Sequence, residues 1–157
     1  MIEAACLRFR RAVRADLPRL LALLADDALG KNREAADSSE PVYSAAFDVI
    51  DRDLNQYLLV GEMNGEVVAM LQLTFIPGLS RRAAWRANIE AVRVASRLRG
   101  QGVGARLMAE AHAIARSRGC KLAQLTSDRQ RADAHRFYER LGYTPSHTGF
   151  KLPLEAA

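Results

Sequence analysis

Leu7 and Phe9 alternate with Arg8 and Arg10, a period of two that predicts a first strand ending near Ala12. The period then lengthens. Leu17, Leu20, Leu21 and Leu24 share one face of a helix that Asp16 can cap and Pro18 can open, so that face is expected to be core. After Gly30 the polar run 31–40 predicts a loop, and a second helix beginning around Pro41 carries Tyr43, Ala46, Phe47 and Ile50 on its apolar side. Strand-like runs at 56–62 and 66–76 flank Asn64-Gly65, a dipeptide with ready access to positive φ, and predict a tight hairpin. A Pro77-Gly78 turn leads into a third strand over about 83–94, which completes an antiparallel meander.

Helical spacing returns with Val103, Leu107, Ala111 and Ile114, predicting a helix over about 102–118 that Gly119 ends. A strand over 121–127 follows, then a helix over about 133–141 with Ala134, Phe137 and Leu141 inward, then strand-like pieces near Tyr143 and Phe150. No repeat or low-complexity tract breaks the series, so a single domain over 1–157 is expected.

Composition narrows the class. A chain of 157 residues can bury a core without disulfides or metal. With 49% hydrophobic and 26% charged residues it is neither disordered nor collagen-like. The formal charge of +5 favours an anionic partner, but the arginines are dispersed along the chain, which is the habit of a solvated surface and not of a nucleic-acid stripe. Cys6 and Cys120 are too distant for a C-x-x-C metal pair and too few for a secreted scaffold, so reduced thiols are expected. His112, His135 and His147 lack metal-ligand spacing, and no metal is expected. The N-terminus has no signal-peptide pattern and no run approaches membrane-spanning length, so the expectation is a cytoplasmic protein with neither a membrane nor a nucleic-acid partner.

The chemistry concentrates at 99–104, RGQGVG, between a strand ending near Val94 and an amphipathic helix. Amides at a helix start have no partner within the helix and sit at its positive end, and glycine lets an anion approach the backbone, so a pyrophosphate fits. Gly100, Gly102 and Gly104 could also be no more than a tight strand-to-helix turn. The loop lacks the Gly-Lys-Ser/Thr ending of a P-loop, and its order is not that of the dinucleotide-binding motif.

Arg99-x-x-Gly102-x-Gly104, preceded by IEAVRV at 89–94, resembles the R/Q-x-x-G-x-G/A signature of GNAT acetyltransferases. The segment AHRFYERLGY at 134–143 resembles that family's late A-x-x-F-Y-x-x-x-G-F/Y segment, and the order of elements resembles its fold over essentially the whole chain. The resemblance implies an α/β fold of α+β mixed-sheet type, with a mostly antiparallel sheet of six or seven strands flanked by about four helices. It implies transfer of acetyl from acetyl-CoA to a primary amine, of a small molecule by expectation, by direct attack in a ternary complex.

In that family the strand before the signature splays from its neighbour. By resemblance, main-chain atoms of Val92, Arg93 and Val94 hold the pantetheine and the acetyl carbonyl, and amides of Arg99, Gly100, Gln101, Gly102, Val103, Gly104 and Ala105 take the pyrophosphate. An alkylammonium with a pKa of about 10 must lose a proton before it attacks. Glu90 is the expected base, placed by strand parity with Val92 and Val94, although a strand carboxylate paired with an arginine would look the same in sequence. Tyr138 matches the proton donor to the leaving thiolate, and Asn88 is expected to orient substrate.

Many relatives carry Asn where this chain has Arg131, which leaves that contact without a certain replacement among Ser127, Asp128 and Arg131. Acceptor choice is expected from loops carrying Arg33, Glu34, Arg81, Arg82, Trp85 and His147; two arginines would favour an acceptor with a carboxylate or phosphonate. A homodimer is compatible with the architecture. The alternative reading is an acyl-CoA-binding regulatory module without efficient catalysis, against which Glu90 and Tyr138 argue.

Overall fold

The computed structural model describes residues 7–26 and 41–154. Cys6 and the polar run 31–40, with Arg33 and Glu34, lie outside the described residues. In order the elements are β1 (Leu7–Arg11), α1 (Leu17–Ala25), α2 (Pro41–Arg52), β2 (Gln56–Met63), β3 (Glu66–Ile76), α3 (Ser80–Ala83), β4 (Trp85–Val94), α4 (Val103–Ser117), β5 (Cys120–Gln124) and α5 (Ala132–Arg140). Two compact units contain them, Met1–Gln124 and Leu125–Ala157.

All five strands lie in the first unit, in one sheet of order β1-β2-β3-β4-β5. The first four pair antiparallel and β5 pairs parallel to β4. This is the mixed α/β architecture expected, with five strands among the described residues where six or seven were expected. The missing ones are those read near Tyr143 and Phe150: residues 143–154 form no strand. Pro145 and Pro153 remove amide donors there and Gly149 adds backbone freedom, which outweighs the alternation of Phe150, Leu152 and Leu154.

The hairpin turn is as predicted, with Asn64 at φ 51° and Gly65 at φ 79°, the pair of positive angles that a two-residue turn between twisted strands needs. The first helix differs in detail. Asp16 ends a 3₁₀ turn, Arg14–Asp16, and its Oδ2 accepts the Val13 amide at 2.8 Å, so it caps that turn and makes no side-chain cap to α1. Arg10 donates to both Asp16 oxygens, at 2.7 and 3.0 Å, and to Glu62 Oε2 at 2.9 Å. The Arg10 guanidinium, followed by the Val13 amide, holds the Asp16 carboxyl below the usual carboxylate range against the opposing effect of burial. Leu20, Leu21 and Leu23 are the buried leucines of α1, and Leu24 is only half-buried. In α2 only Phe47 is buried, while Ala46 is exposed.

The two faces of the sheet differ. Phe9, Gly61 and Ala69 share one face by register, continued by Leu73, Phe75, Ala87 and Ile89, and α4 covers it: Arg106 stacks over Phe9 at 5.9 Å and Arg118 over Phe75 at 4.5 Å. Leu71, Leu73, Phe75, Ile89 and Leu107 are essentially inaccessible there, and burying each such side chain contributes about 1.5–3 kcal/mol. The opposite face carries Arg10, Val60 and Met70, and α1 and α2 pack on it. Towards the Gln56 end of β2 that face turns polar. Gln56, Thr74, Asn88 and Gln124 lie in register across four strands, with Gln72 and Glu90 in the next row.

β4 is irregular at the place that matters for the site. Gln72 pairs with Glu90 but Met70 pairs with Arg93, so Ala91 and Val92 together oppose Leu71 in a β-bulge. Ala91 takes φ 53°, an angle that disfavours any residue with a Cβ by about 1–2 kcal/mol. Ala91→Gly should therefore raise stability, by about 0.5–1 kcal/mol after the entropy lost with glycine, and Ala91→Val should lower it by at least as much. Denaturant unfolding of both variants checks this: an Ala91→Gly protein no more stable than the wild type would show that the bulge carries no strain.

Candidate active site

β5 pairs with β4 from Trp85↔Cys120 to Asn88↔Gln124 and stops there, while β4 runs six residues further to Val94. Beyond Asn88 the β5-facing edge of β4 therefore has no strand ladder among the described residues, and the bulge at Ala91–Val92 lies in that stretch. This is the parting of strands that the resemblance implied. It leaves main-chain groups of Ile89 to Val94 on that edge outside any β5 ladder, as Val92, Arg93 and Val94 need to be if they are to hold an extended ligand.

The chain then makes a 3₁₀ turn, Ser96–Leu98, and enters α4 through Gly100 at φ 73° and Gly102 at φ 83°. Both glycines are needed for their backbone angle, and the space a Cβ would fill is open at each. Gly102 is the N-cap of α4, and the Arg106 amide makes the first bond back to its carbonyl, at 3.1 Å. The amides of Val103, Gly104 and Ala105 consequently have no acceptor within the helix and sit at the positive end of its dipole. The Arg99 amide is already bonded to Ser96 O at 3.2 Å, so the donors available for an anion begin after it.

Side chains brace this loop instead of filling it. Arg99 Nε donates to Val94 O at 3.1 Å and its Nη2 to Asp26 O, tying the end of β4 to the end of α1. Asp26 Oδ2 accepts the Ser96 amide at 3.0 Å, and Gln101 Nε2 donates to Arg97 O at 2.8 Å. A cleft of about 380 Å³ opens beside the loop, lined by Arg19, Leu23, Asp26, Ala95, Ser96 and Arg97. Its two arginines are compensated, since both pair with Glu66, at 3.0 and 2.6 Å. Nothing in the sequence marked Asp26 as the residue that fastens the loop; it falls after the last apolar position of α1.

Glu90 is exposed and makes no ion pair among the described residues, which removes the reading of it as half of a strand salt bridge. Its parity with Val94 is corrected by the bulge: Glu90 opposes Gln72 on the α1 face of the sheet, whereas Val94 opposes Ala69 on the α4 face. Arg93 takes the place opposite Met70 that unbroken alternation would have given Val92. Asn88 lies two residues before Glu90 on the same face, and its Oδ1 accepts from Gln124 Nε2 at 3.3 Å. Gln56 Oε1 accepts from both Gln72 Nε2 at 2.8 Å and Thr74 Oγ1 at 3.0 Å, so the polar row is hydrogen-bonded along its length.

Other expected residues stand elsewhere. Trp85 begins β4 opposite Cys120, five residues and about 17 Å of strand from Glu90, and Arg81 and Arg82 lie in the left-handed turn just before it. Cys120 is a half-buried free thiol whose pKa burial pushes up, the opposite of what activates a nucleophile. Burial, with Arg116 adding, pushes the His112 imidazole below its ordinary pKa. No cluster of three or more metal-ligating side chains occurs among the described residues, and no helix there is long and apolar enough to cross a membrane.

In the second unit Asp128 builds the turn before α5: its Oδ1 accepts the Gln130 amide at 2.9 Å, and its carbonyl meets the Arg131 amide at 3.0 Å and the His135 ring at 2.8 Å. Tyr138 is half-buried, edge-on to Phe137 at 5.2 Å and to Tyr143 at 5.9 Å. Burial, with Tyr138 adding, pushes the Tyr143 phenol up to about 12, which makes it a poor proton donor.

The comparisons agree with this geometry. The chain is 40% identical over 102 residues to the aminoalkylphosphonate N-acetyltransferase of Salmonella typhimurium LT2, a match covering 65% of this chain and 66% of that protein, so just under two thirds of the relative's length is spanned. A solved structure named as a transcriptional regulator from Bacillus halodurans C-125 superposes with a TM-score of 0.91 at 46% identity, over 94% of this chain and 99% of that one. An acetyltransferase from Trypanosoma brucei superposes with a TM-score of 0.78 at 27% identity, over 94% and 99%. The model of the acetyltransferase (GNAT) family matches residues 19–143, which include the parted strands, the glycine loop and the late aromatic segment, and the chain therefore belongs to that family and is an acyltransferase.

Proposed function

We propose that the chain transfers acetyl from acetyl-CoA, the family's acetyl donor, to the primary amine of a small molecule by direct attack in a ternary complex. The observation that carries this reading is the parting of β4 from β5 after Asn88, next to a helix start whose first amides lack helical acceptors. Amides of Val103, Gly104 and Ala105 would take the pyrophosphate, and main-chain groups of Val92, Arg93 and Val94 the pantetheine and the acetyl carbonyl.

Glu90 accepts the ammonium proton, directly or through one water. The freed nitrogen attacks the thioester carbon, the C–S bond breaks, and the CoA thiolate leaves with a proton from Tyr138; the nitrogen's second proton, lost as the neutral amide forms, restores the phenol by way of solvent. The Tyr138 assignment rests on the segment AHRFYERLGY. Tyr138→Phe is expected to lower kcat at least tenfold while the KM for acetyl-CoA changes little. Wild-type turnover in that variant, with chemistry shown to be rate-limiting, would remove Tyr138 from the mechanism.

The named substrate class of the 40% identical relative supports an aminoalkyl acceptor bearing an anion. The test is an acceptor screen with acetyl-CoA that reads thiol release and confirms the product by mass, using aminoalkylphosphonates, amino acids, polyamines and aminoglycosides. Acetylation of at least one small amine is expected. CoA binding with no thiol release across the panel would instead support the acyl-CoA-binding module. The proposal extends to a cytoplasmic homodimer, which cell fractionation and native mass spectrometry would test.

A further inference from the structure

β2, β3, β4 and β5 share one end, opposite the glycine loop, that acetyl transfer leaves unused. β2 begins there at Gln56, β3 ends at Ile76 opposite Arg86, and β4 begins at Trp85 opposite Cys120. The turn at 53–55 belongs to the same end: Asn55 O accepts the Phe75 amide at 2.8 Å, and Leu54 O accepts from Arg118 Nη2. Arg118 in turn stacks over Phe75 at 4.5 Å.

This end exposes apolar and cationic side chains together. Leu79 is 97% exposed, Leu54 81% and Trp85 38%. Arg52, Arg81, Arg82, Arg118 and Lys121 are exposed as well and make no ion pair among the described residues. Arg52 and Arg118 stand at the ends of α2 and α4 and complement their dipoles, a reason that Arg81, Arg82 and Lys121 lack. Of the acids nearby, Asp51 pairs with Arg11 at 3.6 Å, and Asp53 Oδ1 accepts the Asn55 amide at 2.8 Å. The five cations are dispersed in the sequence, between positions 52 and 121, and the fold gathers them. Residues 1–6 and 27–40 join the described chain away from here, at Leu7 opposite Met63, at Asp26 beside the Ser96 amide, and at Pro41, about 16 Å of helix from Arg52.

The loop between β3 and β4 is strained as well as exposed. Arg81, Arg82 and Ala83 follow one another at φ 52°, 60° and 58°. Residues with a Cβ enter this region singly as a rule, because the Cβ crowds the next carbonyl. The turn that they form, α3, buries none of its residues, so packing within the fold does not account for the strain.

We propose that this end of the sheet docks on an anionic phospholipid bilayer, with Leu79 and Leu54 among the headgroups, Trp85 at the interface, and Arg81, Arg82 and Lys121 beside lipid phosphates. A nucleic acid would engage the arginines and stack on Trp85, but it gives a fully exposed leucine nothing to enter. A protein partner would need apolar pockets matched to two separate turns, whereas a bilayer adapts to their spacing. Leucine and tryptophan ringed by basic residues suit the boundary between headgroups and acyl chains, and such a contact needs no spanning helix, which the described residues lack. The docking is independent of acetyl transfer.

The experiment titrates the full chain with vesicles of phosphatidylcholine alone and of phosphatidylcholine with about one-third phosphatidylglycerol, at low and high salt, reading sedimentation and Trp85 emission. Trp85 is the chain's single tryptophan, so its spectrum reports this end alone. The mixed vesicles should bind at least about 100-fold more tightly than the neutral ones at low salt and shift the emission to the blue. Removing a basic residue should weaken binding about fivefold, so Arg81→Gln with Arg82→Gln should lose about 25-fold. Leu79→Ser, which keeps every charge, should lose about tenfold. If the double variant does not fold, as circular dichroism would show, Lys121→Gln with its expected fivefold loss tests the same charge requirement. Binding to mixed vesicles that leaves Trp85 emission and the Leu79→Ser affinity unchanged would reduce the contact to charge adsorption and overturn the proposal. No binding to either vesicle at low salt would overturn it too, as would tighter binding of a DNA or RNA oligonucleotide that the arginine variants lose and Leu79→Ser keeps.

Discussion

Glu90→Gln is expected to reduce kcat by about 10²–10⁴ at neutral pH, the range that a positioned base contributes to a proton transfer. The sign of its pH dependence follows from the acceptor. An alkylamine with a pKa of about 10 is almost wholly protonated at pH 7, so the variant depends on solvent to deprotonate it. As pH rises toward that value the free amine forms unaided and the deficit shrinks; below neutrality the deficit is largest. Steady-state rates of both proteins from pH 6 to 10, at saturating acetyl-CoA, give the comparison. A deficit constant across that span would mean that the Glu90 carboxylate does not take the proton, even though its exposure and its lack of an ion pair among the described residues leave it available.

Gly102→Val should weaken CoA binding at least about 100-fold, a larger loss than the fold itself would suffer. The substitution places a β-branched residue at φ 83°, where the strain amounts to about 1–2 kcal/mol, yet the added Cβ meets no protein atom within 4 Å. The space it enters is the approach to the amides of Val103, Gly104 and Ala105. Each phosphate hydrogen bond lost from such a position costs about 1.5–3 kcal/mol, so two lost contacts account for a change of that size. Calorimetry with CoA, and with S-acetylpantetheine as a ligand lacking the pyrophosphate, separates the effects. The variant should lose the advantage that CoA has over the truncated ligand. Equal weakening toward both would place the damage in the pantetheine cleft or in the fold instead.

Much of this architecture was legible in the sequence because local rules and tertiary packing agree. The Asn64-Gly65 turn, the period-two runs on either side and the Val103–Ala111 stripe each ask for the element that forms. Gly100 and Gly102 were read either as a tight strand-to-helix turn or as places where an anion approaches the backbone, and their positive φ angles with open space ahead are compatible with both. The illegible parts are those that depend on pairing between distant segments. The bulge at Ala91–Val92 leaves no mark in IEAVRV, since alanine is an ordinary strand residue and its φ of 53° is imposed by the partner strand. With the bulge hidden, parity assigned Glu90 to the face of Val94, whereas the register puts it on the face of Arg93. The same limit explains Asp26, whose bond to the Ser96 amide joins residues seventy positions apart. In the last segment, alternation of Phe150, Leu152 and Leu154 suggested a strand that residues 143–154 do not form, because alternation records which positions are apolar and says nothing of whether a neighbour is present to complete the ladder.

The measurement that bears most directly on the acceptance of a diphosphate by the start of α4 is an amide-resolved NMR titration of the ¹⁵N-labelled protein with CoA. The account predicts that the largest shifts fall on the amides of Gly102 to Ala105, with a second group at Val92 to Val94, and that both saturate at one equivalent. Saturable binding that leaves the 102–105 amides unmoved while shifting residues elsewhere would contradict it.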